Sequence, residues 1–519
     1  MRLIDFVDRG ALRSREAECF VDGNVRYTFG EAVDLSNRIA RALARDGLLP
    51  GDRVAILSSN CALGFICILG LLRADAVLVA LNTRNALGDN VHHARESDAS
   101  WLFFHGDATT QALEIAQSVT GLRHLIPIDR DEAGRDRMLH WLGAVTSEEV
   151  VPALPAPPDG LWRLSMTGGT TGRPKLVEQC HRSAELTVAT MLALFHYETR
   201  PRYLLAAPMT HAAGMFAFAY LAMGGCVVIL RKIDAAEVLD AIVSQGVNAL
   251  FMPPAALYAL LAHPRVKEVD YRRLKHFLVG ASPVSTEKLL EAMDVFGPVM
   301  AQGFGQTEAS SLLAYMGPED YQAAREDSSL SGRLKSCGRA TPFVRLAVMD
   351  AEGRLLPAGE AGEVVVRTGM LMRGYRGEPE EALRVGAHGW HHTGDIGTID
   401  DEGFVTLLDR KRDLIITGGF NVFPSEVEQV LWRHPAVEDC AVIGVPDDKW
   451  GEAVKAVVQL KAGLKVDPVE LQSWCRLQLG GVKAPKSIEI WESLPRSAVG
   501  KVLRREIRKK YWTAETRQI

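Results

Sequence analysis

The chain has no cysteines at metal-ligand spacing: its eight, at 19, 61, 67, 180, 226, 337, 440 and 475, include no Cys-x-x-Cys pair. Neither a zinc site nor a disulfide framework is expected, and a reducing, cytoplasmic setting fits. It also lacks an excess of basic charge. Lys and Arg number 59 against 64 Asp and Glu, and a net charge of -5 over 519 residues offers no electrostatic footprint for nucleic acid. The one basic cluster, Arg504, Arg505, Arg508, Lys509 and Lys510, reads as a solvated helix face, with attraction of a phosphate-bearing substrate as the weaker reading. The opening MRLIDFVDRG carries acids where an export signal needs an apolar run, so none is expected. There is no internal repeat of fixed period. Ala212 to Leu230, 19 residues without a charge, is long enough to span a bilayer. Gly224-Gly225 divides it into a helix-like AAGMFAFAYLAM and a β-branched CVVIL, so a buried helix–strand pair is expected, with no transmembrane segment.

With 47% hydrophobic and 24% charged residues, the composition is that of a soluble globular protein too long for one core. From Tyr27 onward helix-like and strand-like pieces alternate: EAVDLSNRIARALARDG, DRVAILS, an apolar helix through Leu72, then AVLVALN. The pattern resumes with YLLAAP, CVVIL, ALFMPP and HFLVG as strands, and it predicts two layered α/β blocks with parallel sheets over residues 1–335. After Cys337 the texture changes to short strands joined by Asp/Glu-Gly turns (VRLAVMD, GEVVVRT, FVTLLDR), as in a small antiparallel barrel or meander. A charged run, Asp409 to Asp413, then precedes a fresh α/β pattern. The division expected is a large domain over 1–408, a hinge over 409–412 and a small mobile α+β domain over 413–519.

Several segments are unusual for a purely structural chain. MTGGTTGRPK, Met166 to Lys175, places Gly168, Gly169 and Gly172 among Thr167, Thr170 and Thr171. Glycines free the backbone to turn its N–H groups toward one point, and threonines add hydroxyl donors, so the loop suits phosphates, although such loops are also plain surface turns. It is not a Walker A sequence. PMTHAAG sets His211 between a strand end and an apolar helix. QGFGQTE brings glycines at 303 and 305, an aromatic face at Phe304, a hydroxyl at Thr307 and a carboxylate at Glu308, a set able to stack a base and hold a magnesium ion; a turn before a helix is the plainer reading. HHTGD ends in Asp395, DRKRD supplies Arg410, and PRSAVGK ends in Lys501.

Taken in order with LLRADAVLVALNTR (71–84), GASP (280–283), GEVVVRTGMLMRGY (362–375), WHHTGD (390–395) and DRKRDLIITGGFNVFPSEVE (409–428), these segments make nearly the whole chain resemble the adenylate-forming superfamily of acyl-CoA synthetases, aryl-CoA ligases, luciferases and peptide-synthetase adenylation domains. The resemblance implies ATP, Mg²⁺ and coenzyme A as cofactor and co-substrates. It puts the β- and γ-phosphates on the loop from Thr167 to Lys175, including Gly168, Gly169, Thr170, Thr171 and Gly172. Adenine would lie among Gly280, Ala281 and Phe304, the α-phosphate at Thr307, Mg²⁺ at Glu308, and the ribose at Asp395 and Arg410. Lys501 would bridge carboxylate and α-phosphate, His211 joins the catalytic set, and Arg412 is the hinge about which the small domain turns to bring Gly418, Gly419 and Phe420 to the adenylate. Three departures stand out: Gly168 where the family has Ser, Asp75 for Gly, and Ile416 for Lys.

The implied reaction is attack of a carboxylate on the α-phosphorus of ATP, release of pyrophosphate, and transfer of the acyl group to a thiol. Amino-acid adenylating relatives carry an aspartate near the PMTHAAG position; HAAGMFAFA has no acid, which points to a neutral, hydrophobic carboxylic acid, with fatty, aryl and polycyclic acids all open. His211, Met215, Phe216, Gly303 and Gly305 are the expected pocket wall. Coenzyme A is favoured as acceptor because the stretch from Cys337 to Gly362 is compact. The alternatives are an acyl-AMP ligase that loads a carrier protein, or a catalytically silent nucleotide-binding relative.

Overall fold

The computed structural model of the chain describes residues 1–129, 136–143, 145, 157–167, 175–378, 389–496 and 502–512. Its architecture follows from two helices that have no polar face. Ala62–Arg73 (ALGFICILGLLR) and Ala212–Ala222 (AAGMFAFAYLA) are apolar on every side, and a helix of that kind can be stable in water only when surrounded. Both are buried along nearly their whole length in a layer between two sheets. Their shared core takes Val54, Ile56 and Leu78 from one sheet and Phe20, Tyr203, Leu205 and Val227 from the other. Phe65 stands at its centre, 5.3 Å from the ring of Phe20 and 5.4 Å from that of Phe218. The uncharged run from 212 is therefore the expected buried pair, helix Ala212–Ala222 followed by strand Cys226–Ile229. Among the described residues no helix is long and apolar enough to cross a membrane.

The first sheet has seven strands in the order Gly374–Tyr375, Leu176–Cys180, Leu161–Met166, Val77–Ala80, Arg53–Leu57, Trp101–Phe104, His124–Pro127. The second has nine: Arg339–Ala340, Ser310–Met316, Met300–Gln306, His276–Gly280, Ala249–Met252, Arg202–Leu205, Cys226–Ile229, Glu18–Asp22, Val25–Thr28. The central pairings of both are parallel and their strands run as unbroken apolar segments (VLVA, CVVI, ALFM), as strands covered on both faces must. Helices Leu87–Glu96 and Thr109–Ser118 cover the outer face of the first sheet. Ala235–Ser244, Pro254–Leu261 and Thr286–Phe296 cover that of the second.

The small antiparallel unit after Cys337 is a meander: Val344–Met349, Gly362–Thr368, His391–Ile399 and Val405–Arg410 pair in chain order. Beyond it Ile415–Thr417, Phe420–Val422, Val437–Asp447, Gly451–Leu460 and Ser487–Ile490 form a separate sheet. Helices Pro424–Trp432 and Pro468–Lys483 pack on it over a core of their own, which includes Val427, Leu431, Val442, Val454, Leu471 and Cys475. All eight cysteines are buried and free.

One departure from the family pattern has a backbone explanation. Asp75 lies in the turn between helix Ala62–Arg73 and strand Val77–Ala80 with φ +55°, a region that glycine enters without strain and that Asp tolerates better than most side chains. Its carboxylate lies 3.8 Å from the buried Arg2 guanidinium and 3.7 Å from His181, so the side chain gains charge partners that glycine cannot. Because the Phe65 ring joins helix Ala212–Ala222 to the second sheet, Phe65→Ala is expected to lower the stability of the large domain by about 3–5 kcal/mol and Phe65→Leu by less, read from the denaturant midpoint.

Candidate active site

The parallel strands Arg202–Leu205, Ala249–Met252, His276–Gly280 and Met300–Gln306 point the same way, so their C-terminal ends share one edge. Such an edge, where chains leave the sheet and backbone groups are unpaired, is where open α/β sheets bind ligands. Ala207, Pro208, Pro253, Gly280, Ala281 and the run Gly303 to Glu308 all follow from it and line one cleft of 2740 Å³. That volume exceeds the roughly 300–1,000 Å³ of an ordinary small-molecule pocket and leaves room for a nucleotide beside a second substrate.

The Thr307-Glu308 turn is held from three directions. Gln179 Nε2 donates to the Thr307 carbonyl at 3.1 Å, the Met372 amide to the Glu308 carbonyl at 2.7 Å, and Gln306 Nε2 to the Thr393 carbonyl at 3.4 Å. Tyr375 Oη donates to Glu308 Oε1 at 3.0 Å. Burial first, then the Glu308 carboxylate, push the Tyr375 phenol well above its ordinary range, so it stays a donor. Asp395 is 6% exposed on strand His391–Ile399, directly opposite Arg410 in the register, and its Oδ1 accepts from Arg410 Nε at 2.8 Å. Ala281 has φ +72°, turning the chain sharply as it leaves the sheet into the cleft. Phe304 is buried, packing among Leu313, Val364 and Val405, and lines the same cleft.

Strands Leu161–Met166 and Leu176–Cys180 are antiparallel, and the Thr167 amide and Oγ1 both reach the Lys175 carbonyl, at 3.0 and 3.4 Å, closing the base of the glycine loop. Gly168, Gly169, Thr170, Thr171 and Gly172 lie outside the described residues. Lys175 Nζ is 2.5 Å from Glu378 and 4.7 Å from the Tyr375 ring centroid, so its charge is shared with a carboxylate.

His211 caps the start of helix Ala212–Ala222, its Nδ1 3.2 Å from Thr210 Oγ1. A Cβ placed on Gly214 would fall 1.8 Å from the Met209 carbonyl oxygen, so the helix start and the loop carrying His211 touch backbone to backbone. Met215 and Phe216, both buried, continue the wall with Gly303 and Gly305, and Phe216 meets Phe251 edge-on at 5.1 Å. Burial, then the charges of Arg163 and Arg84, depress His211 to about 4; burial also depresses His93 to about 3 and His391 to about 4.

The small domain closes the cleft with one of its faces. Arg496 and Val502, joined by an antiparallel bridge, line it together with Leu503, Arg504 and Arg505. Lys501, between them in sequence, lies outside the described residues. Gly418, Gly419 and Phe420 form the turn between Ile415–Thr417 and Phe420–Val422 and are absent from the cleft lining, with Phe420 59% exposed. Arg412 and Asp413 border the cleft, whereas Ile416 is 54% exposed. Arg504 fastens this arrangement. Its Nε and Nη2 hold the Glu428 carboxylate at 3.1 and 2.5 Å, and Nη1 reaches Asp409 at 3.1 Å and Asp413 at 3.4 Å. Arg508 adds a 3.0 Å bond to Asp413.

Arg504, Tyr375 and Arg163 were not singled out from sequence as site residues. Arg504 was legible only as part of a basic cluster, and Tyr375 closed a recognised segment without a role of its own. For Arg163 the signal was present: a charge inside the apolar strand LWRLSM, three residues before the glycine loop.

Known proteins resemble the chain over nearly its whole length. The sequence profile of AMP-binding enzymes matches residues 7–376, and that of the AMP-binding enzyme C-terminal domain matches residues 426–501. The medium/long-chain-fatty-acid–CoA ligase FadD8 of Mycobacterium tuberculosis is 34% identical over 510 residues, covering 96% of this chain and 88% of its own. A feruloyl-CoA synthase of an Amycolatopsis species is 33% identical over 97% of this chain and 98% of its own. Among solved structures, the amide bond synthetase McbA of Marinactinospora thermotolerans superposes with a TM-score of 0.87 at 28% identity, covering 98% of this chain and 100% of McbA. The chain belongs to the AMP-binding enzyme family, the adenylate-forming superfamily, and within it is an acyl-CoA synthetase.

Two outcomes test the site's electrostatics. As pH falls below the ordinary histidine value of 6.5, the unfolded chain takes up protons that buried His93, His211 and His391 refuse until about 3, 4 and 4. Folding stability is therefore expected to decline steadily from about pH 6.5 to about pH 4, and His211→Gln to flatten that slope in an acid series of unfolding midpoints. Arg504→Lys keeps the charge and loses the two-pronged grip; native-state trypsin cleavage after Arg410, Lys411 or Arg412 is expected to become roughly tenfold faster.

Proposed function

We propose that this chain activates a carboxylic acid with an apolar body to acyl-AMP and passes the acyl group to coenzyme A, in the cytoplasm. The observation that carries the reading is the single cleft into which the large domain brings Thr307, Glu308, Asp395 and Arg410 while the small domain contributes the segment that flanks Lys501. A carboxylate is a poor acyl donor because its leaving group would be oxide. Joining it to AMP supplies a better leaving group, but two anions must first approach, so the main catalytic task is charge neutralisation in a site that excludes water.

In this reading Asp395 accepts from the ribose hydroxyls, with Arg410 holding the carboxylate in place. Gly280 and Ala281 border adenine, Phe304 backs that wall, and Thr307 donates to the α-phosphate. The loop from Thr167 to Lys175 takes the departing pyrophosphate. Among the described residues no three His, Cys, Asp or Glu side chains cluster as a metal cage. One carboxylate held by Tyr375 beside the phosphates fits magnesium, which takes most of its ligands from phosphate and water. Glu308 would hold Mg²⁺, which when bound offsets phosphate charge. Lys501 acts as a cation bridging the acid and the α-phosphate, and His211, kept neutral, serves as a hydrogen-bonding group at the mouth of the acyl pocket. The hinge falls at 409–412 between a large domain over 1–408 and a lid over 413–519. Turning the lid about Arg412 requires the Arg504–Asp409 bond to open, after which the turn at Gly418, Gly419 and Phe420 can approach the adenylate.

Pyrophosphate release measured with and without coenzyme A, with mass spectrometry of the product, tests the reading; AMP formation with an acyl group accepted only by a carrier protein would favour that acceptor instead. Lys501→Ala is expected to slow adenylate formation by roughly 100-fold or more while leaving thioester formation from supplied acyl-adenylate largely intact, and equal loss in both half-reactions would contradict its role.

A further inference from the structure

Strand Leu161–Met166 runs inside the seven-stranded sheet, where Arg163 stands in register between Leu78 and Gln179. Arg163 is itself half-buried, whereas Trp162 and Leu164, its neighbours on the strand and directed to the other face of the sheet, are 3% and 0% exposed. A guanidinium partly withdrawn from water in such a strand carries a desolvation cost that only a partner offsets. The protein supplies little of that partnership. Arg163 Nη2 donates to the Thr210 carbonyl, and the group lies 5.5 Å from the Trp162 ring centroid, but Nε is enclosed without a hydrogen-bond acceptor. Among the described residues no carboxylate comes within 4.0 Å of it. His93 and His211, the two histidines that feel its charge, are held neutral by burial and bring no negative charge. Burial lowers Arg163 itself to about 10, which still leaves it a cation at neutral pH.

The side chain lines the cleft, and its tie to Thr210 sets it beside His211 and the helix carrying Met215 and Phe216, on the acyl side of the cleft. The nucleotide candidates, Gly280, Ala281, Thr307, Asp395 and Arg410, belong to the nine-stranded sheet and the meander. Holding one backbone carbonyl needs only a neutral donor, so the charge itself is unexplained by the fold. We infer that Arg163 is a specificity residue for a second carboxylate on the acid substrate, so that the pocket takes a dicarboxylic acid with an apolar body and activates one of its ends. The inference rests on the acyl-activating reading above and narrows its substrate class. It also explains how a wall of Met215, Phe216 and Phe251 can coexist with an uncompensated cation: the apolar surface takes the substrate's body, and the guanidinium takes its far end.

The test is pyrophosphate release by the full-length enzyme with aliphatic and aromatic dicarboxylic acids, each against its monomethyl ester. The wild type is expected to favour the best diacid over its ester by roughly 100-fold in kcat/KM, mainly through KM, because the ester leaves the cleft-facing cation unpaired. Arg163→Met is expected to abolish that gap by weakening the diacid alone, and Arg163→Lys to keep part of it. Esters turned over as well as diacids by the wild type would overturn the inference and leave the ligase reading intact. An Arg163→Met variant that loses esters and diacids equally, or whose KM for ATP rises instead, would overturn it in favour of a structural or phosphate-binding role. No pyrophosphate with any acid would remove the ligase reading and this inference together. If Arg163→Met does not fold, the wild-type diacid-to-ester ratio decides by itself.

Discussion

Two helices with no polar side must be enclosed, and the rest of the molecule is arranged around that constraint. Ala62–Arg73 and Ala212–Ala222 can be surrounded only if a sheet lies on each side of them, so the large domain is a sandwich of two sheets about a middle layer of helices. Both sheets are then apolar on both faces, which favours parallel strands linked by helices, and parallel strands end together. The cleft is the consequence: four strand ends of the second sheet reach one edge and deliver Pro208, Pro253, Gly280 and Thr307 to a common space. His211 sits there because the helix it caps must enter the central layer at that point.

Charge is distributed on the opposite plan. The meander carries the Asp395–Arg410 pair, the second sheet carries Glu308, and the small domain carries the basic segment around Arg496 and Arg504. The cleft therefore draws its charged lining from several parts of the chain. Arg504 joins some of these parts: one guanidinium binds a carboxylate of its own domain, Glu428, and two that flank the basic run 410–412. An ion pair of this kind opens at a cost and re-forms readily, which suits the moving lid proposed above.

Much of this was legible in the chain. YLLAAP, CVVIL, ALFMPP and HFLVG read as strands because each is a short apolar run bounded by turn residues, and the structure has strands at Arg202–Leu205, Cys226–Ile229, Ala249–Met252 and His276–Gly280. Asp/Glu-Gly turns marked the meander, and the change of texture after the charged run marked the small domain. Thr307, Glu308 and Asp395 were read from glycine-bearing motifs, which announce backbone that must approach a ligand, and Arg410 from a charged run; the structure brings all four to one cleft. What escaped were roles defined by a partner distant in sequence. Tyr375 matters because of Glu308, Lys175 is engaged by Glu378 across the mouth of the glycine loop, and Asp75 is explained only by a left-handed φ near Arg2 and His181.

The amino-acid sequence by itself determined the family and the layered class of fold, because these depend on local periodicity and on short motifs whose spacing is set by the chain. Only the tertiary structure decided which face of the lid meets the cleft, which carboxylates Arg504 holds, and that Arg163 is a cation without a counter-charge among the described residues. The physical reason is that solvation and Coulomb energy depend on distance in space. Two residues separated by 95 positions, Asp409 and Arg504, can lie 3.1 Å apart, and no local pattern records it.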